Sequence, residues 1–164
     1  MHSIIQGKVW TFGNNIDTDQ IYPGRYLELT EHSDIAKHAM EGADSNFIKE
    51  FIKGGIIVAG DNFGCGSSRE HATITLKNAG VSAIVANSFA RIFYRNAINL
   101  GLPVITCDGI LSKVKKGDTI SIDLQSGIIR NLDNNVVIEG DKLSEHVLNI
   151  IERGGVIPFF KKDL

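Results

Sequence analysis

The sequence predicts an α/β fold: a central mixed, mostly parallel sheet flanked by helices, with a β-rich C-terminal portion. Three observations carry this. From Gly55 to Thr106, short apolar runs alternate with longer helix-like stretches. The order strand–helix–strand–helix–strand means a parallel sheet with crossover helices. The first of these runs ends in a glycine-rich turn at the carboxyl end of its strand, where open α/β sheets bind ligands. After Lys113 the texture changes to short alternating segments separated by turn residues, the pattern of antiparallel hairpins.

The elements follow in chain order. Ile4 to Phe12 has strand character, with Trp10 and Phe12 on one face by period two. Gly13-Asn14-Asn15 is a turn signal. Ile16 to Leu27 mixes apolar and acidic residues, is broken by Pro23-Gly24, and has no clear assignment. Thr30 to Met40 predicts a helix, with Ser33-Asp34 as cap and Ile35, Ala36, Ala39 and Met40 as its apolar stripe. Residues 56–59 form a buried strand, and His71 to Ala79 a helix that ends at Gly80. Val81 to Ala86 is the next strand. Asn87-Ser88 caps a helix running to Leu100, with Gly101 just past its end. Pro103 to Thr106 is a third strand. Beyond it come strands at 119–124, 128–130 and 136–138, with Ser126-Gly127 as a hairpin signal. A last helix, Leu143 to Arg153, is closed by Gly154-Gly155. With no repeat, linker or low-complexity tract, residues 1–164 are expected to form one domain.

Composition narrows the function classes. The 164 residues are 43% hydrophobic and 22% charged, ordinary for a globular protein with a real core. A net charge of -2 argues against a nucleic-acid or membrane-surface role, where a basic excess is expected. No apolar stretch reaches the ~18–20 residues that span a bilayer. The N-terminus lacks a signal-peptide pattern, so the expected compartment is the cytoplasm. The two cysteines, Cys65 and Cys107, match no zinc or iron–sulfur spacing, and a disulfide is not expected in the cytosol. Cys107 is expected to be a buried apolar residue. Cys65 lies inside the glycine loop and is expected to line the site.

That loop, Gly64-Cys65-Gly66-Ser67-Ser68-Arg69, concentrates the chemistry. At a strand-to-helix turn, backbone N–H groups and the helix dipole favour an anion. Three familiar loop motifs are excluded by single residues. A dinucleotide fingerprint needs glycine where Arg69 stands, a P-loop needs Gly-Lys-Ser/Thr, and a nucleophile elbow needs glycine where Glu70 stands. The bland alternative is a structural turn with Ser67 or Ser68 capping the helix. Arg69 weighs against it, because an arginine in a first helical turn opposes the dipole and usually needs an anion to offset it. Arg91 and Arg95, four apart, share a helix face suited either to surface ion pairs or to carboxylate binding. Asp17 and Asp19 share one side of an extended segment. Without a third ligand they predict pairing to an arginine rather than a metal site. His71, one turn into its helix, is expected to pack or cap rather than act in acid–base catalysis. His2, His32, His38 and His146 are expected at the surface.

Taken together, Asn15-Ile16-Asp17-Thr18-Asp19, Arg25-Tyr26-Leu27, Asn62 to His71 and Ser88-Phe89-Ala90-Arg91-Ile92-Phe93-Tyr94-Arg95-Asn96 resemble the small subunits of 3-isopropylmalate dehydratase. These are the swivelling β/β/α domain of the aconitase superfamily. The likeness runs from about Gly7 to Gly154-Gly155. It implies a hydro-lyase subunit of leucine biosynthesis, acting on a small 2-hydroxy dicarboxylate through an enoate intermediate. It also implies a large partner, in a heterodimer or heterotetramer, that holds a [4Fe-4S] cluster through three cysteines. This chain cannot supply such a set, so it is expected to bind no cofactor or metal itself. Carried over by motif, Ser67 is the base that removes a proton α to a carboxylate and Arg69 binds that carboxylate, with Ser68 beside it. Gly64, Cys65, Gly66, Asp17, Asp19, His71, Arg91 and Arg95 support them. The resemblance places specificity in Arg25, Tyr26, Leu27, Glu28 and Leu29. Leu29 suits an apolar substituent, while Glu28 departs from the neutral or basic residue expected after Tyr-Leu. Homoaconitate, methylmalate or citraconate, and dimethylmalate substrates therefore stay open, as does a non-catalytic anion-binding module.

Overall fold

Strand β1 (Ile4–Thr11) lies at the middle of a seven-stranded sheet and divides it into two halves. The computed structural model describes residues 4–157. After β1 come two short helices, α1 (Thr18–Ile21) and α2 (His32–Ala36), with a 3₁₀ turn at Gly24–Tyr26 between them, and then α3 (Phe47–Glu50). The crossover region follows as β2 (Ile56–Ala59), α4 (Glu70–Asn78), β3 (Ala83–Ala86), α5 (Arg91–Asn99) and β4 (Val104–Thr106). The C-terminal part holds β5 (Thr119–Asp123), β6 (Ile128–Asn131), β7 (Val137–Glu139) and α6 (Glu145–Glu152). The strand order is β4-β3-β2-β1-β5-β6-β7. β1 to β4 pair in parallel, and β1 with β5, β5 with β6 and β6 with β7 pair antiparallel. The mixed sheet expected from the sequence is present, with parallel and antiparallel pairings evenly divided.

Burial explains the continuous apolar runs. Every residue of β2 and β3 is buried, as in a parallel sheet covered on both faces. On one face Trp10, Ile57, Ala59, Ile84 and Ala86 pack against Leu76, Phe93 and Ala97 of the crossover helices. Phe12 joins that cluster, so the period-two expectation for Trp10 and Phe12 holds. On the other face Val9, Ile56, Val58 and Val85 meet Ile120, Ile122 and Ile129 from the antiparallel half.

The largest departure from the sequence reading is the expected helix over 30–40. Only His32–Ala36 is helical, its N-cap is Glu31, and Ser33-Asp34 lie inside it rather than capping it. Met40 takes a left-handed φ of 58° because its N–H bonds the Ile21 carbonyl, and Gly42 N–H bonds that of Gln20. These two bonds fold the chain back onto α1, and tertiary pairing overrides the helical periodicity. Ile35, Ala39 and Met40 are buried as expected, and Ala36 is half-buried. Asn87 and Ser88 do not cap α5, which begins three residues later after Ala90. Their side chains instead bond Gly109 N, Asp61 and Asn62 N. Gly101 (φ 79°) does end α5, and Gly154-Gly155 (φ 86° and 127°) follow α6. His2 lies outside the described residues.

Candidate active site

The glycine loop is held as an extension of the sheet. Gly64 N–H bonds Ile16 O at 2.7 Å and Thr18 N–H bonds Cys65 O at 2.8 Å on one side. On the other side Phe63 N–H bonds Ser88 O and Ala90 N–H bonds Phe63 O, both at 3.0 Å. The stretch after β2 is therefore clamped between the stretches after β1 and β3. Gly64 has φ +84°, and a Cβ there would stand 2.3 Å from Phe93 Cγ. Gly64→Ala is therefore expected to cost about 2–5 kcal/mol from left-handed strain and overpacking. Thermal unfolding should show a midpoint lowered by on the order of 10 °C. A midpoint within about 2 °C of wild type would show that Phe93 yields easily.

Two side-chain pairs fix Ser67 and Arg69. Ser67 Oγ lies 3.3 Å from Thr18 Oγ1, a hydroxyl on a residue that is only 3% exposed. Arg69 Nη1 donates to Asp19 Oδ1 at 2.8 Å and to Tyr22 O at 3.2 Å. Asp19 also accepts from Gly24 N–H. The Arg69 bond, aided by that of Gly24, holds the Asp19 carboxyl below the usual carboxylate range. The expected aspartate–arginine pairing is made by Asp19. Asp17 does something else: it is the N-cap of α1, accepting from Gln20 N while Gln20 Oε1 accepts from Asp17 N. The two aspartates thus begin a helix rather than share one side of an extended segment.

Helix α5 supplies the opposite wall. Between it and the loop lies a cleft of about 500 Å³, lined from the loop side by Thr18, Ser67, Ser68 and Arg69 and from the helix side by Arg91, Ile92 and Arg95. Gly64 and Gly66 also border it, as do Asn62 and Asn96. The lining carries three arginines and no carboxylate. Among the described residues neither Arg91 nor Arg95 has an acidic partner within 4.0 Å, so the ion-pair alternative is not found. A cleft of this sign, with two serine hydroxyls in it, suits a small polyanion.

Several expectations are corrected. Ser67 and Ser68 do not cap α4. Its N-cap is Arg69, in extended conformation and with no side-chain cap bond. Arg69 thus precedes the first helical turn, and its side chain borders the cleft. Cys65 is absent from the lining, and its backbone is engaged with Asp17 and Thr18. Residues 25–29 do not line the cleft either. The segment begins beside Arg69, where a Cβ on Gly24 would stand 3.2 Å from Arg69 Nη2. Arg25 pairs with Glu41 at 3.2 Å, Leu27 and Glu28 are exposed, and Leu29 is half-buried. His71 packs as expected, stacked on Tyr22 with Nε2 3.1 Å from Leu29 O. His38, expected at the surface, is half-buried and stacked on Tyr26. His32 and His146 are exposed. Sequence reasoning did not single out Thr18, Asn62, Ile92 and Asn96 as site residues, although all four stand in the stretches that carry the resemblance.

Among the described residues no three His, Cys, Asp or Glu side chains come together. Cys107 is buried, and burial pushes its thiol up to about 11. No helix among the described residues is long and apolar enough to cross a membrane.

A mixed-sheet domain whose clamped glycine loop offers a serine and an arginine to a cationic cleft has the geometry of an anion site. The chain belongs to the aconitase C-terminal domain family, whose model matches residues 7–108. It is 54% identical to the isopropylmalate/citramalate isomerase small subunit of Methanocaldococcus jannaschii, over all of this chain and 98% of that one. It is 52% identical to the methanogen homoaconitase small subunit of Methanothermobacter thermautotrophicus, over all of this chain and 95% of that one. The crystal structure of a 3-isopropylmalate dehydratase (leuD) from Methanocaldococcus jannaschii superposes with a TM-score of 0.93 at 44% identity, covering 98% of this chain and 95% of that chain.

Proposed function

We propose that this chain is the small subunit of a cytoplasmic 3-isopropylmalate dehydratase of leucine biosynthesis. The enzyme interconverts 2-isopropylmalate and 3-isopropylmalate through isopropylmaleate. The supporting observation is the cleft: a serine hydroxyl among three arginines and no carboxylate, on a chain matched end to end by small subunits of such enzymes. The substrate is a dianion. Arg69, with Ser68 beside it, binds the carboxylate next to the reacting carbon, and Arg91 and Arg95 attract the other. Ser67 Oγ takes the proton α to the carboxylate as the hydroxyl leaves the neighbouring carbon and the double bond forms. Water then adds with the hydroxyl on the other carbon and the proton returned from Ser67. Residues 25–29 lie outside the cleft lining of this chain alone, and in the assembled enzyme they face the substituent that does not react.

Serine is a poor base near neutral pH, and each pKa unit is about 1.36 kcal/mol. A helix terminus contributes roughly 0.3–1 kcal/mol within its first turn. Ser67 stands before that turn, two residues ahead of the N-cap. Arg69, exclusion of water and charge from outside this chain must supply the rest. This is why a larger partner is part of the proposal. That partner holds a [4Fe-4S] cluster, which supplies a Lewis acid for the departing hydroxyl when bound.

A second reading keeps the chemistry and changes the substrate, because the relative at 54% identity is named for both isopropylmalate and citramalate and the one at 52% is named a homoaconitase subunit. Co-production with the large subunit, cluster reconstitution and assay of 2-isopropylmalate, citramalate and a tricarboxylate homologue separates them. The highest kcat/KM is expected on 2-isopropylmalate, and none of the three should turn over with this chain alone. A preference for another substrate replaces the assignment. Turnover by the isolated chain overturns the half-site mechanism, and no turnover of any substrate by the complex points to a binding module.

A further inference from the structure

The backbone of the segment 24–29 is held at three points: Gly24 N–H bonds Asp19 Oδ1 at 2.9 Å, Tyr26 O accepts from Tyr22 Oη at 2.6 Å, and Leu29 O lies 3.1 Å from His71 Nε2. Its other backbone bonds are three short turns, Tyr26 to Pro23, Leu27 to Gly24 and Leu29 to Tyr26, and Arg25, Leu27 and Glu28 are exposed. One carboxylate gathers its side chains. Glu41 Oε1 accepts from Arg25 Nη2 at 3.2 Å and from Tyr26 Oη at 2.9 Å. Its other oxygen, Oε2, meets His38 Nδ1 at 2.6 Å. The His38 ring stacks on Tyr26 with centroids 3.6 Å apart, so the Tyr26 phenol is gripped at its face and at its hydroxyl by the same unit. The Arg25 guanidinium lies 4.7 Å over that ring. Glu41 itself stands on a fixed base. Met40, fully buried, bonds Ile21 O at 2.7 Å, and Gly42 bonds Gln20 O at 3.0 Å. Gly42 has no room for a side chain there, since a Cβ would stand 2.7 Å from Asp19 O. Glu41 is thus tied to α1, the element that carries Thr18 and Asp19.

We infer that Glu41 is a positioning residue for substrate selection: tied to α1, it fixes the Arg25 and Tyr26 side chains and with them the turn that carries Leu27. This rests on the reading above that residues 25–29 face the non-reacting substituent. Glu41 touches no reacting atom, and Ser67 and Arg69 keep their own anchors at Thr18 and Asp19. Its loss should therefore act on binding rather than on the chemical step. In the assembled two-subunit enzyme, Glu41→Gln is expected to raise KM for 2-isopropylmalate about tenfold while kcat changes less than about twofold. A parallel fall in kcat and kcat/KM with KM unchanged would overturn it. Hydrogen exchange on the full chain gives a readout independent of activity. The amides of Tyr26, Leu27 and Leu29 are expected to exchange at least about tenfold faster in Glu41→Gln, with those of β2 and α4 unchanged. Wild-type exchange at these three amides overturns the inference whatever the enzyme catalyses. Faster exchange with KM for 2-isopropylmalate unchanged shows instead that the segment is fastened but does not meet the substrate, which overturns the assignment of 25–29.

Discussion

Ser67→Ala is expected to lower kcat of the assembled enzyme by about 10³-fold, within the range that a positioned acid–base group contributes. The hydroxyl is the proton carrier of the proposed reaction, and its neighbours limit what can replace it. Thr18 Oγ1, at 3.3 Å, is the nearest alternative, but Thr18 is buried beneath the loop while Ser67 is exposed to the cleft. The substitution should spare folding. One weak hydrogen bond is lost, a cost of about 1 kcal/mol or less, so thermal unfolding and co-purification with the partner should match wild type. Steady-state kinetics decide the matter: retention of more than about a tenth of kcat is incompatible with Ser67 as the base.

Arg69→Gln carries the second large effect, a fall in kcat/KM of about 10²–10³-fold with the greater share in KM. Arg69 is oriented before substrate arrives, with Nη1 committed to Asp19 and the Tyr22 carbonyl. Preorganisation of this kind costs nothing at the moment of binding. Lysine should not restore activity, because a point charge cannot hold the Asp19 contact and a substrate carboxylate with one planar group. Unfolding is not expected to be the cause. The Asp19 side chain is 68% exposed, and ion pairs so open to solvent add little stability. A KM within about threefold of wild type would remove Arg69 from the substrate site.

Much of the site was legible because its signals are local. The glycines of the loop, the serine pair and the arginine occupy one stretch, and α5 displays Arg91 and Arg95 at a spacing that any helix places on one face. The misassigned caps show the limit of the same logic. Asn87 and Ser88 have good capping side chains, but Asn87 is spent on Gly109 N and Asp61, and Ser88 on Asn62 N. The helix over 30–40 failed for a related reason. Its periodicity is real, yet the backbone of Met40 and Gly42 is more stably paired to α1 than to another helical turn. Glu41 carried no signal, since its partners Arg25 and Tyr26 lie 16 and 15 residues away in the chain.

By itself the sequence determined the strand–helix alternation, the mixed sheet and the clustering of serine and arginine in one glycine loop. These follow from periodicity and from which residues tolerate a left-handed backbone, both properties of neighbours in the chain. Only the tertiary structure decided which groups meet. Thr18 reaches Ser67 across 49 residues and Asp19 reaches Arg69 across 50. Those meetings depend on β1 and β2 lying side by side in parallel, so that the stretches leaving their carboxyl ends run together. Strand order and register are settled by burying both faces of the sheet at once, a global condition that no local segment encodes.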